Sequence, residues 1–154
     1  MAKNGNAVVL EWYFAKVKET GNQSALSINA ANSDGYQPIF LACWQGYKSI
    51  LDEEADKKQI IENRTKVVKL LLDNGALSNV RSSHQGMTPL HWAAYHGDEE
   101  IVDELLKSGA LQLYNEKKLA PVDVAGFRGK GAVVEIFCRH LAQHIVAEKT
   151  TVVQ

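Results

Sequence analysis

The chain has 154 residues, of which 45% are hydrophobic and 23% charged, so a chain that is disordered throughout is excluded. Its 17 Lys and Arg against 18 Asp and Glu give a net charge of −1, which argues against a nucleic-acid binder and against a membrane-surface protein. No apolar stretch approaches the ~18 residues that a spanning helix needs, and the first residues contain no apolar core of a secretory signal.

Two cysteines, Cys43 and Cys138, lie far apart in the chain. Thiols in a reducing compartment commonly pack as small hydrophobes, so we expect both to be packed, in a protein of the cytoplasm or alternatively the nucleus. His140 and His144 stand four residues apart on a predicted helix, but no glutamate accompanies them in the zinc-binding His-Glu-x-x-His pattern. The sequence therefore predicts no metal site and no cofactor.

Three segments of the chain repeat one pattern of residues, and they begin at Asp34, Gln85 and Lys117. In each, a proline is followed directly by an aliphatic residue, then by alanine four residues after the proline and by glycine eight residues after it. The proline predicts the start of a short helix, and the glycine predicts its end. The three short helices are predicted to begin at Pro38, Pro89 and Pro121.

A second helix is predicted to follow each short helix. Aliphatic residues at helical spacing run over 67–76 and 101–110 and stop at a glycine, and a weaker copy follows the third short helix. Upstream, the apolar residues of 8–14 predict a helix of an incomplete first repeat. We expect either that the first helix of this repeat is a degenerate cap or that the chain is cut from a longer protein. We expect the last helix to continue beyond Leu141 and to fray over 149–154.

An insertion at residues 47–64 lengthens the second repeat. Two of its glutamates stand four residues before lysines, the favourable order for ion pairs on a helix, so an extra or extended helix is predicted. We expect Asn63 to supply a turn after that helix, because asparagine tolerates left-handed backbone better than most residues. The insertion is either a loop change that repeat proteins tolerate, which we favour, or an element that binds a partner or another copy.

The middle repeat carries a distinctive set of residues, namely Gly86, Thr88, Pro89, Leu90, His91, Ala93, Ala94 and Gly97. This set resembles the signature of the ankyrin repeat family, and the 32-residue step from the second proline to the third is close to that family's period. The resemblance implies an all-α ankyrin-repeat solenoid of stacked helix-turn-helix units with hairpin loops, about three to four repeats and one helical insertion. The repeats would cover 1–32 in part, 33–82, 83–115 and 116–148.

The neighbouring repeats depart from this signature. Gln37 and Ala120 replace its threonine, and Phe40 and Asp123 replace its histidine. We expect the threonine of the middle repeat to cap its helix, and we expect the other two repeats to lack the Thr–His hydrogen bonds and to be less rigid.

The resemblance also implies a binding surface along the hairpin tips and first helices. Trp44, Tyr95 and Phe127 all stand six residues after the proline, and we expect them to form an exposed ladder of rings across the repeats. Trp92 stands three residues after its proline, where packing between repeats is favoured. The candidate partner-binding residues are Tyr36, Trp44, Gln45, Met87, Trp92, Tyr95, His96, Leu119, Phe127 and Arg128.

No motif of a catalytic site occurs in the chain. A glycine-rich phosphate loop, a nucleophile elbow and a Ser/His/Asp arrangement are all missing from the sequence, so we do not expect an enzyme. We expect a non-catalytic protein–protein interaction module, monomeric in isolation, that binds a protein or peptide through the concave face of the array, and neither nucleic acid nor the interior of a membrane. The alternative is a regulatory or targeting domain of a larger enzyme or membrane protein.

Overall fold

The structure, a computed structural model, describes residues 15, 28–33, 35–44, 54–83 and 85–151. All regular elements of these ranges are helices, which confirms the predicted all-α class. The predicted helix over 8–14 and the first part of the insertion lie outside the described residues. The helices are α1 (Pro38–Trp44), α2 (Glu54–Asp73), α3 (Pro89–His96), α4 (Glu99–Lys107), α5 (Pro121–Phe127) and α6 (Gly131–Thr151).

The described helices form two layers. The first helices of the repeats, α1, α3 and α5, stack in this order, and the second helices α2, α4 and α6 stack beside them. Each first helix also packs against the second helix of its own repeat. The core is continuous through the stack, so each repeat is stabilised largely by its neighbours. Its buried members are Ile39, Cys43, Val68, Leu71, Leu90, Ala93, Ala94, Ile101, Val102, Leu105, Ala110, Ala125, Val133, Ile136 and Phe137.

Helix α3 begins and ends as its sequence predicts. Thr88 Oγ1 accepts a hydrogen bond from the His91 backbone N–H at 3.3 Å, and the Thr88 N–H donates to His91 Nδ1 at 3.0 Å. This reciprocal pair satisfies two backbone donors that the start of a helix leaves unpaired. At the other end, Gly97 takes a φ of 81°, a left-handed conformation that glycine adopts without steric cost, and its N–H donates to Ala93 O.

The start of α5 replaces this arrangement with a carboxylate. Ala120 has no side-chain acceptor, but Asp123 Oδ2 accepts the Ala120 N–H at 2.8 Å. The Thr–His pair of hydrogen bonds is absent, as expected. The bond from Ala120 N–H to Asp123 nevertheless corresponds to the bond from Thr88 N–H to His91 in α3. The negative charge of Asp123 also lies in the first turn, where the helix dipole favours it.

Two asparagines tie successive repeats together at the turns that follow the second helices. Asn29 Nδ2 donates to Gly75 O at 3.0 Å, and its Oδ1 accepts the Leu77 N–H at 2.9 Å. One repeat later, Asn79 makes the same two bonds to the next turn, at 3.2 and 2.8 Å. A side-chain amide serves both bonds because it carries a donor and an acceptor.

This bridging stops at the last repeat, where Leu113 stands at the position of the bridging asparagine. The turn glycine is replaced as well, because Leu141 stands in its place and α6 runs on to Thr151 as one helix. An unbroken helix uses its own carbonyls and N–H groups, so it offers no turn for an amide to bind. The predicted prolongation of the last helix is confirmed, and residues 149–151, which we expected to fray, are helical.

Helix α2 joins the insertion to the second helix of its repeat. It runs without a break from Glu54 to Asp73, so the extended helix is confirmed from Glu54 onward. Asn63 lies inside this helix, and the turn predicted there is wrong. Asparagine inside a helix costs about 0.7 kcal/mol or less relative to alanine, a small cost that the contacts of the next residue, Arg64, can offset.

Arg64 holds α2 to both layers. Its guanidinium donates to Ala42 O at 3.4 Å and to Cys43 O at 3.2 Å, which are carbonyls near the end of α1. Its Nη2 also lies 3.0 Å from Asp98 Oδ2, in the connection between α3 and α4. The two side chains are only 11% and 6% exposed, so this is a buried ion pair in which each charge compensates the other.

The two cysteines have different surroundings. Cys43 is fully buried, as expected, and burial raises the pKa of its thiol to about 12, which keeps it protonated. Cys138, which we also expected to be packed, is exposed on α6, so that expectation is wrong. Among the described helices, only α4 and α5 pack closely against α6, and neither covers this side of it.

Removing one partner of the Arg64–Asp98 pair leaves the other charge buried without compensation. We therefore predict that Arg64→Met lowers the free energy of unfolding by about 3 kcal/mol or more in urea denaturation, and that Asp98→Asn acts in the same direction. The double variant loses less than the sum of the single losses, because the pair is lost only once.

The matched control is Lys107→Met, which removes a solvent-exposed ion pair with Asp103 and has a much smaller effect on the unfolding midpoint. Strictly additive losses at Arg64 and Asp98 would contradict their coupling.

Candidate functional site

A cluster of aromatic side chains begins at the hairpin before α1. The ring of Tyr36 stacks on that of Phe40, with centroids 5.0 Å apart, and on that of Trp44, with centroids 5.8 Å apart. Trp44 then meets Trp92 of the next repeat edge to face, with centroids 6.1 Å apart. These separations lie within the 4.5–7 Å range in which aromatic pairs attract.

The cluster continues across α3 into the third repeat. Trp92 contacts Tyr95 edge to face at 5.5 Å and stacks on His96 at 5.9 Å between ring centroids. From α5's end, Arg128 places its Cζ 4.3 Å from the centroid of the Tyr95 ring, a cation–π contact. Tyr36, Trp44, Trp92, Tyr95, His96 and Arg128 are called the aromatic face below.

The three rings of the predicted ladder differ in exposure, and they do not contact one another. Trp44 is 42% exposed and Phe127 is 78% exposed, whereas Tyr95 is half-buried. Stacked helices lie about 8–10 Å apart, too far for rings of the same phase to touch. Trp92 fills the gap between Trp44 and Tyr95, and it packs against the core as expected. No aromatic pair among the described residues includes Phe127.

Met87 and Leu119, two of the candidate partner-binding residues, each stand two residues before a proline, and both are less exposed than expected. Met87 is 6% exposed, so its expected exposure is wrong. The Asn115 side-chain amide donates to Met87 Sδ at 3.3 Å, and the adjacent hairpin covers it. Leu119 is half-buried, and its carbonyl accepts from His91 Nε2 at 3.0 Å. Gln45 lies outside the described residues.

The sequence reading missed the part played by Phe40. Its ring is buried and supports Tyr36 from beneath. Phe40 occupies the position of the signature histidine, which packs below the hairpin. An aromatic residue at this position was a signal for the contact with Tyr36. The Arg64–Asp98 ion pair was not predicted either, because no local pattern indicates a contact between residues so far apart in the sequence.

Burial lowers the pKa of His96 below its ordinary value. The carboxylate of Asp98 and the backbone of Trp44 act in the opposite direction, while the positive charges of Arg64 and Lys130 add to the lowering. His96 is therefore neutral at neutral pH, which suits its stacking on an indole inside the aromatic face.

Burial also lowers the pKa of His91, and the nearby charge of Arg81 acts in the same direction. The neutral ring fits its contacts, because Nδ1 accepts the Thr88 N–H and Nε2–H then donates to Leu119 O. Protonation would place a second N–H against the Thr88 donor. The folded protein thus takes up protons at these two histidines less readily than the unfolded chain.

Among the described residues, no group of three or more His, Cys, Asp or Glu side chains could hold a metal ion. His140, one of the paired histidines on α6, instead places Nε2 2.9 Å from Asp103 Oδ1. None of the described helices combines the length and the apolar character required to cross a bilayer.

Comparison with known proteins agrees with this geometry. A family model described as ankyrin repeats (many copies) matches residues 57–106. The chain is 31% identical to the inactive serine/threonine-protein kinase TEX14 of Bos taurus, over 87% of this chain and 8% of that protein. It is 33% identical to ankyrin repeat and SAM domain-containing protein 6 of Rattus norvegicus, over 63% of this chain and 9% of that protein. The chain belongs to the ankyrin repeat family, whose repeats are non-catalytic protein–protein interaction modules.

Other relatives match over a shorter part. The palmitoyltransferase AKR1 of Kluyveromyces lactis is 50% identical over 50 residues, which is 32% of this chain and 7% of that protein. The chain thus spans less than a tenth of the length of each of these relatives.

Because His91 and His96 resist protonation in the folded state, the free energy of unfolding falls as the pH drops. We predict that the free energy of unfolding decreases between about pH 7 and pH 5, as the unfolded chain binds protons that the folded chain does not. His91→Gln lowers stability at neutral pH but flattens this dependence. Urea denaturation at several pH values measures both effects.

The matched control is the change of the exposed His144 to Gln. A pH dependence that is as steep in His91→Gln as in the natural chain would contradict the assignment to this residue.

Proposed function

We propose that the chain is a docking module that binds a segment of a partner protein on its aromatic face. The observation that carries this proposal is the continuous set of ring contacts from Tyr36 to Arg128, which crosses three repeats and leaves Trp44 substantially exposed. Partly exposed aromatic rings are enriched among the residues that dominate protein interfaces.

The rings of this face are held by one another before any partner arrives. Tyr36 rests on buried Phe40, and Trp92 packs against the core. A side chain that is already fixed loses little conformational entropy on binding, so more of its contact energy contributes to affinity. This favours docking onto a rigid surface, without a large rearrangement of the repeats.

A second candidate is that these repeats regulate or target a larger protein. It is favoured by the short span of the matches, which cover less than a tenth of relatives named as palmitoyltransferases and an inactive kinase. In that case the activity of the larger protein would reside outside the residues that the structure describes. We further propose a monomer in a reducing compartment, the cytoplasm or the nucleus, which the two free cysteines support.

Truncation of the exposed rings tests the docking function. Peptides selected from a random 12-residue display library on the immobilised chain serve as the probe. We predict that Trp44→Ala and Tyr95→Ala each weaken the binding of these peptides by about 1–3 kcal/mol in a calorimetric titration. Phe127→Ala has a smaller effect, since its ring stands apart from the cluster.

The matched control is Tyr114→Ala, which removes another exposed aromatic ring, 60% exposed and outside the aromatic face. The unfolding midpoint of Trp44→Ala should stay near that of the natural chain, unlike that of the core variant Leu105→Ala. If Tyr114→Ala weakens binding as much as Trp44→Ala does, the aromatic face is not the binding site.

A further inference from the structure

We propose that Arg128 binds a carboxylate of the partner, so that the docking segment carries an acidic residue next to an apolar or aromatic one. This inference rests on the proposed docking function and names the chemistry of its partner. The source of the carboxylate is an acidic side chain of an unfolded or extended protein segment.

The geometry of Arg128 leaves its charge ready for a ligand. Its Cζ lies over the Tyr95 ring, 4.3 Å from the ring centroid, and the residue is nevertheless exposed. Among the described residues, no carboxylate forms an ion pair with it. The edge of the guanidinium carries N–H donors in a planar fork, which matches the two oxygens of a carboxylate.

The contact with Tyr95 also restrains the Arg128 side chain. A free arginine side chain loses much rotamer freedom when it binds, and the ring contact removes part of that loss in advance. The aromatic rings begin directly beside the guanidinium, since Tyr95 contacts Trp92 and Trp92 contacts Trp44. A partner segment whose acidic residue binds Arg128 would therefore place its neighbouring apolar side chain on these rings.

The hairpin side of the stack and the outer helix α4 carry opposite excesses of charge. On the described hairpins and first helices, the exposed charged residues include more basic than acidic side chains, and Asp123 is already engaged by the Ala120 N–H. The outer helix α4 has the opposite excess, with four acidic residues and one lysine. This charge distribution favours approach of an acidic segment to the hairpin side. The exposed charges of that side are Arg81, Lys117, Lys118 and Arg128, against Glu116 and Asp123.

A protein segment fits this surface better than a nucleic acid does. The chain as a whole has a net charge of −1, whereas nucleic-acid binding depends on many phosphate contacts by basic residues. Helix α4, with four acidic residues and one lysine, would repel an extended polyanion that reached it. A single oriented arginine beside aromatic rings suits one carboxylate with an apolar neighbour.

Selection from the random 12-residue peptide library at low salt tests this inference. We expect the selected peptides to be enriched in Asp or Glu adjacent to Trp, Phe, Leu or Met. Arg128→Gln should weaken their binding about ten- to a hundredfold, and Arg128→Lys should recover only part of it, because lysine keeps the charge but not the planar fork. Replacing the peptide's Asp or Glu by Asn or Gln should weaken binding to the natural chain but hardly to Arg128→Gln.

The matched control is Arg139→Gln, an exposed arginine on α6 in the other layer, which should leave the affinity unchanged. Peptides that depend on Trp44 but not on Arg128 would overturn this inference and leave the docking function intact. Peptides that depend on neither residue would overturn both. A dT12 oligonucleotide that displaces the peptides and loses binding in Arg128→Gln would overturn the choice of a protein carboxylate in favour of a nucleic-acid phosphate.

Discussion

The close stacking of first helix on first helix is the constraint on which the rest of the structure depends. Cys43, Ala93, Ala94 and Ala125 are fully buried small residues, and their size lets α1, α3 and α5 approach. Because the helices stack in the same orientation, residues at equivalent positions point to the same side in successive repeats. The aromatic face is the consequence, since rings from two repeats and Arg128 from a third meet on one side of the stack.

Much of the fold could be predicted, because its signals are local. Thr88, Pro89 and Gly97 set the limits of α3 through capping and backbone conformation, which depend on neighbours in sequence. The continuity of α2 through Asn63 could not be predicted in this way. It depends on Arg64, whose partners come from α1 and from the connection before α4. A residue's conformational preference is weak beside such long-range contacts.

The candidate site was predictable in part for the same reason. Helical phase placed Trp44 and Phe127 on an exposed side, and the structure agrees. It could not reveal that Trp92 fills the space between Trp44 and Tyr95, because that depends on the distance between stacked helices. Nor could it reveal that the neighbouring hairpin buries Met87.

Docking on the aromatic face is tested most directly by nuclear magnetic resonance of the 15N-labelled chain during titration with a selected peptide. We expect the largest shifts at the indole N–H signals of Trp44 and Trp92 and at the backbone amides of α1, α3 and the end of α5. Shifts confined to the amides of α2, α4 and α6, with both indole signals unmoved, would contradict it.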